Sequence, residues 1–126
     1  MALINGLHHA KILCTKKEYD EEIKFFTEGL KLRLVSKSDE CAIIDTGNGL
    51  IEIFCDADSL PEMGIVRHFA FDVDDVAACI DKVEKAGYRI KEYPIDVMFN
   101  MEEPRPATIG FCYDPCGQEI EFFHWR

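Results

Sequence analysis

A chain of 126 residues can bury one hydrophobic core without disulfide or metal staples, and 48% hydrophobic against 30% charged residues is the balance of an ordinary globular fold, not of a disordered or fibrous chain. A formal net charge of −10 excludes a surface built to neutralise nucleic-acid phosphates or anionic lipid, because such surfaces concentrate Lys and Arg. The apolar runs are far shorter than the ~20 residues a membrane-spanning helix needs, and MALINGLHHAKILC has no basic segment followed by a long apolar stretch, so the cytoplasm is the expected setting.

In chain order, residues 7–15 (LHHAKILCT) read as a strand. Lys16 to Leu30 then sets Ile23, Phe26 and Leu30 at helical spacing, with acidic residues near its start. LRLVSK, CAIIDTG and LIEIFCD are three short strand-forming runs, broken at Ser38-Asp39-Glu40 and Gly47-Asn48-Gly49 by turn-forming residues. A βαβββ module therefore occupies about 7–56. After the loop ADSLPEMG the pattern restarts: VRHFAFDV is a strand, Asp74 or Asp75 can cap a helix, and Val76, Ile80 and Val83 line its buried face until Ala86-Gly87. Strands follow at Tyr88 to Tyr93, Thr108 to Tyr113 and Gln118 to His124, with the Pro-containing Met101 to Pro106 as a loop and Asp114-Pro115-Cys116-Gly117 as a turn. The second module occupies about 66–124. The spacings agree, 20 residues from His9 to Gly29 and 19 from His68 to Gly87, so the chain 1–126 reads as one α+β domain of two tandem βαβββ modules forming a curved mixed sheet.

Six cysteines, at 14, 41, 55, 79, 112 and 116, lie mostly in apolar runs and form no CxxC pair, so they read as reduced thiols acting as small hydrophobes.

Strand side chains alternate between two faces, and each module places a polar pair on the face opposite its apolar residues. Ala10, Ile12 and Cys14 share one face of the first strand and His9 takes the other; Ile51, Ile53 and Cys55 leave Glu52 opposite. The second module repeats this, with Phe69, Phe71 and Val73 against His68, and Ile120 and Phe122 against Glu121. Two carboxylates turned inward need a counter-charge, and a divalent cation supplies it. A His₂Glu₂ set suits Zn²⁺ or Ni²⁺ first, and also Co²⁺, Mn²⁺ or Fe²⁺, better than Ca²⁺, which prefers oxygen alone. His8 has the opposite parity and reads as non-ligating. Arg67, Lys11, Lys91 and Arg105 are candidates to hold an anionic substrate group, and Phe54, Met98, Phe99 and Phe123 to line a pocket.

With HAKILC, the Phe25-Phe26 helix ending in Gly29-Leu30, LIEIF, RHFAFDVDDV, AGYRI and the closing DPCGQEIEFF, the sequence resembles the glyoxalase I group of the vicinal-oxygen-chelate superfamily over nearly its whole length. The resemblance assigns metal ligation to His9, Glu52, His68 and Glu121. It implies a lyase or isomerase that removes a proton from a hemithioacetal or related substrate and stabilises the enediolate, with Glu121 as first choice for the general base and Glu52 second. It also implies a homodimer acting on a small molecule. The bacterial glutathione-dependent members carry Arg four residues after the first ligand and Asn four after the second, where this chain has Leu13 and Asp56. Competing expectations are a CoA-thioester epimerase, a non-haem Fe(II) dioxygenase, which has no use for a fourth protein ligand at Glu52, and a drug-binding protein of the bleomycin-resistance kind that needs no metal.

Overall fold

The computed structural model describes residues 3–126, so the first two residues of the expected domain lie outside the described part. It divides into two compact units, the first ending at Pro61 and the second beginning at Glu62. The first contains β1 (His9–Leu13), α1 (Lys16–Lys24), a π-helical turn (Phe25–Gly29), β2 (Arg33–Lys37), β3 (Cys41–Asp45) and β4 (Leu50–Phe54). The second contains β5 (His68–Asp72), α2 (Val76–Lys85), β6 (Ile90–Phe99), β7 (Arg105–Tyr113) and β8 (Glu119–Trp125). Each is a βαβββ unit whose strands make a four-stranded mixed sheet, in the order β1-β4-β3-β2 and β5-β8-β7-β6. In both, the first and last strands pair in parallel and the remaining pairs are antiparallel.

Local chemistry sets the helix ends. Thr15 opens α1 with a capping box: its backbone N–H donates to Glu18 Oε1 at 3.0 Å while its hydroxyl accepts from the Lys17 N–H at 3.3 Å. Helical spacing predicts one helix to Leu30, but the last turn is π-helical. The Leu30 N–H reaches the Phe25 carbonyl, and Lys31, at φ 59°, turns the chain out. Phe25 and Phe26 are thereby both buried on consecutive positions, in an edge-to-face contact at 4.9 Å. Asp75 caps α2 by accepting from the Ala78 N–H at 3.0 Å, and Val76, Ile80 and Val83 are buried as their spacing predicts. Gly87, at φ 94°, ends the helix with the Tyr88 N–H bonded to the Val83 carbonyl.

The segment read as a loop between the second unit's middle strands is instead part of a long hairpin. β6 runs to Phe99 and β7 starts at Arg105, leaving only 100–104 as the tip. Pro94 lies inside β6 because β6 is the edge of its sheet, where a missing donor is tolerated, and the register shift between Glu92 and Ile95 takes up the irregularity. The turn into β8 is closed by Asp114, whose Oδ1 accepts from the Cys116 and Gln118 N–H groups at 2.9 Å, with Gly117 at φ 88°. None of the six cysteines is joined in a disulfide among the described residues.

The buried faces carry Ile12, Ala42, Ile44, Ile51 and Ile53 in the first unit and Cys112, Ile120 and Phe122 in the second. Gly110 of β7 lies close against α2, since a Cβ there would stand 3.0 Å from both Ile80 Cγ1 and Val76 Cγ1. Gly110→Ala should overpack this contact and lower stability by about 1–2 kcal/mol, read as an earlier urea midpoint with unchanged slope.

Candidate functional site

Because directly paired residues share a face, the register shows which side chains stand opposite the buried ones. In the first unit His9 pairs with Leu50, so Glu52, two residues on, is its diagonal neighbour on the open face. In the second, His68 pairs with Glu119 and Glu121 stands two residues on. The same diagonal recurs in both units, and it brings each His to its Glu. His9 Nε2 is 3.4 Å from Glu52 Oε1, and His68 Nε2 is 3.0 Å from Glu121 Oε1.

The two pairs differ in their surroundings. The Glu52 side chain is 25% exposed and the Glu121 side chain 11%. Phe111, paired with Glu121 across β7 and β8, stands edge-on to the His68 ring at 5.1 Å. Burial pushes the Glu121 carboxyl above its ordinary range, and the charge and hydrogen bond of His68 pull it part of the way back. In the first unit Lys11, opposite Glu52, lies 4.2 Å from the centre of the Phe54 ring, and Cys41 shares this face, its thiol pushed up by burial and then by the Glu52 charge. Lys91 ion-pairs with Glu119 beside His68.

Within each unit the His nitrogen and the Glu oxygen are spaced as two ligands of one cation would be. With bonds of about 2.1 Å to nitrogen and oxygen, adjacent ligand atoms are roughly 3.0 Å apart in an octahedral shell and 3.4 Å in a tetrahedral one. The observed separations of 3.0 and 3.4 Å have that size without rearrangement. His8, expected to be non-ligating, touches His9: its Nδ1 is 2.9 Å from Nδ1 of His9, on the far side of the ring from the Nε2 that faces Glu52. Parity alone gave no sign of this contact, which arises because adjacent rings before a strand can meet edge-to-face.

Of the other candidates, Lys11 and Lys91 flank the two pairs, whereas Arg67 is exposed and lends only its carbonyl, to Gln118 Nε2 at 3.0 Å. Phe99 and Phe123 share the face of Glu121, but Met98 pairs with Pro106 and so belongs to the opposite face. Trp125, which sequence reasoning missed, joins Phe99 and Phe123; the alternation 121, 123, 125 along β8 was the available signal.

A carboxyl whose folded pKa exceeds its unfolded one makes the fold less stable when ionised; the penalty is complete above the folded value and absent below the unfolded one. In metal-free protein the Glu121 side-chain carboxyl, followed by carbon NMR, should titrate above the ordinary value of about 4.3, and His68→Ala should raise it further.

The family model of the Glyoxalase/Bleomycin resistance protein/Dioxygenase superfamily matches residues 6–122. No curated protein matches the chain by sequence. Among solved structures, the chain resembles a protein from Bacillus anthracis described as of the glyoxalase family, at 21% identity and TM-score 0.75, covering 100% of this chain and 99% of that one. An integron cassette protein from the mobile metagenome of V. cholerae is similar at 18% identity and TM-score 0.75, over 100% and 99% of the two chains. Lactoylglutathione lyase from Agrobacterium tumefaciens is similar at 18% identity and TM-score 0.72, over 98% and 96%. At these identities the likeness is one of fold. With the family match running over nearly all of a chain that builds the βαβββ unit twice, the protein belongs to the Glyoxalase/Bleomycin resistance protein/Dioxygenase, or vicinal-oxygen-chelate, superfamily.

Proposed function

We propose that this chain is a divalent-metal-dependent lyase or isomerase of the glyoxalase I type, with His9, Glu52, His68 and Glu121 as protein ligands and Glu121 as general base. The observation that carries this reading is the recurrence of one His–Glu diagonal at the same register in both units, each with ligand-edge spacing. Zn²⁺ or Ni²⁺ fits a set of two imidazoles and two carboxylates, with Co²⁺, Mn²⁺ and Fe²⁺ next. When bound, the cation supplies Lewis acidity toward two vicinal oxygens of a small-molecule substrate such as a hemithioacetal. We propose a homodimer as the working form.

The residues divide the remaining work. Glu121 takes the proton from the hydroxyl-bearing carbon onto a carboxylate oxygen and returns it to the adjacent, former carbonyl carbon, while the hydroxyl proton passes to the other oxygen; burial raises the basicity of Glu121 for this task. In metal-free protein His68 Nε2 is hydrogen-bonded to that carboxylate at 3.0 Å, and a bound cation would take the place of the shared proton. Glu52, more exposed and beside Lys11, is the second choice for base. His9 ligating through Nε2 would carry its proton on Nδ1, and His8 Nδ1, 2.9 Å away, stands where it would accept that proton in a hydrogen bond. Leu13 and Asp56, where glutathione-dependent members carry Arg and Asn, favour a thiol other than glutathione or a CoA thioester undergoing epimerisation.

Elemental analysis of purified protein should find near-stoichiometric transition metal that is lost in Glu52→Ala and Glu121→Ala. Protein that takes up no metal under any loading condition would overturn the enzyme reading in favour of a drug-binding one. His8→Ala should retain the metal with about 10- to 100-fold weaker affinity, measured by chelator competition. In the metal-loaded protein, hemithioacetals of thiols other than glutathione, or CoA thioesters, should turn over faster than the glutathione adduct.

A further inference from the structure

The face of the second sheet that carries Glu121 continues beyond it along β8 through Phe123 to Trp125. Ile95 and Ile109 stand in register beside Phe123, and Phe99 and Arg105 pair with each other at the far end of the β6–β7 ladder. Phe99, Phe123 and Trp125 form a closed trio of edge-to-face contacts, with ring centroids 4.7, 5.1 and 5.3 Å apart. A trio serving only as core would be covered, yet Phe99 is 43% exposed and the other two rings are half-buried. The Arg105 guanidinium lies 4.4 Å from the centre of the Trp125 ring. It is exposed, and among the described residues no carboxylate is within ion-pair distance of it, although Lys91 and Arg126 on the same sheet each have one.

The trio therefore offers partly open aromatic surface under one cation free to take an anion, at the end of an apolar floor that starts at Glu121. Trp125 is four residues beyond Glu121 along the strand, a span of about 13 Å. We propose that this end of the sheet is a substrate subsite for an aromatic arm bearing a carboxylate, its ring against Phe99, Phe123 and Trp125 and its carboxylate on Arg105. Aromatic faces take planar apolar groups, and a stacked guanidinium presents its N–H edge to a carboxylate in a bidentate fork. One cation matches one negative charge. A polyphosphate or nucleotide end would need several, which a chain of net charge −10 does not gather here. The inference rests on the proposed function only in taking the arm to belong to the molecule that reacts at Glu121.

Trp125 is the sole tryptophan, so its indole N–H gives one resonance in a ¹⁵N–¹H correlation spectrum. Titration of metal-free protein with naphthalene-2-carboxylate should move that resonance saturably, and naphthalene-2-carboxamide should bind about tenfold more weakly for want of the charge-assisted bond. Arg105→Gln should reduce the carboxylate to the affinity of the carboxamide, and Phe99→Ala should weaken both probes. Glu121→Gln should leave binding of the carboxylate unchanged, so failure of the metal reading and failure of this one are separable. Equal affinity for the two probes, tighter binding of adenosine 3′,5′-bisphosphate, no saturable shift, or a resonance that moves with protein concentration because a second copy covers the trio would each overturn the proposal.

Discussion

Parallel pairing of the first and last strands of each unit is the constraint from which the candidate site follows. Two parallel strands cannot be joined by a tight turn, so the helix and an antiparallel hairpin must intervene, and that brings residues 43 positions apart in one unit, His9 and Glu52, onto adjacent strands. Once the register is set, period-2 alternation decides which side chains share a face, and a slip of one residue would bury the His and Glu while exposing Ile51 and Ile53. The isoleucines of the buried face therefore hold the imidazole and carboxylate in place on the other. In the second unit His68 and Glu121 are 53 residues apart, and the extra length is absorbed by the long β6–β7 hairpin, which leaves the β5–β8 ladder in the same register.

The two His–Glu pairs share a backbone arrangement and differ in solvation. Glu52 faces Ile43 across the β3–β4 ladder and lies beside Lys11, with a quarter of its side chain exposed; Glu121 faces Phe111 and keeps only about half that exposure. Desolvation disfavours the charged carboxylate, so burial raises the basicity of Glu121 even with an imidazole 3.0 Å away. Two units of the same strand order and register thus hold carboxylates in unequal surroundings.

The distribution of positive charge fits the same picture. In a chain with 24 acidic and 14 basic residues, several cations sit over aromatic rings: Lys11 over Phe54, Lys91 over Phe111, Arg89 over Tyr113 and Arg105 over Trp125. An aromatic platform holds a cation without neutralising it, so positive potential persists among the carboxylates that line these faces. Lys91 is partly offset by Glu119, while Arg105 keeps its charge available.

The amino-acid sequence alone determined the two βαβββ units, the parity of His9, Glu52, His68 and Glu121, a helix cap at Asp74 or Asp75 and the turn at Asp114, because alternation, capping and turn chemistry act over a few residues and are written in residue order. It also made Phe99 and Phe123 candidates for the pocket. Tertiary structure decided what depends on pairing between distant segments. The diagonal that sets each Nε2 against its carboxylate is a register, and register belongs to two strands at once. The strand expected to end at Tyr93 runs on to Phe99 as the edge of its sheet, and Met98 reads as a pocket residue until its partner Pro106 fixes its face. Trp125 and Arg105, 20 residues apart, meet because β7 and β8 are antiparallel neighbours, and the unequal burial of Glu52 and Glu121 comes from the side chains paired across from them. Local rules gave the list of chemically capable side chains; long-range pairing chose which of them meet and how much water each keeps.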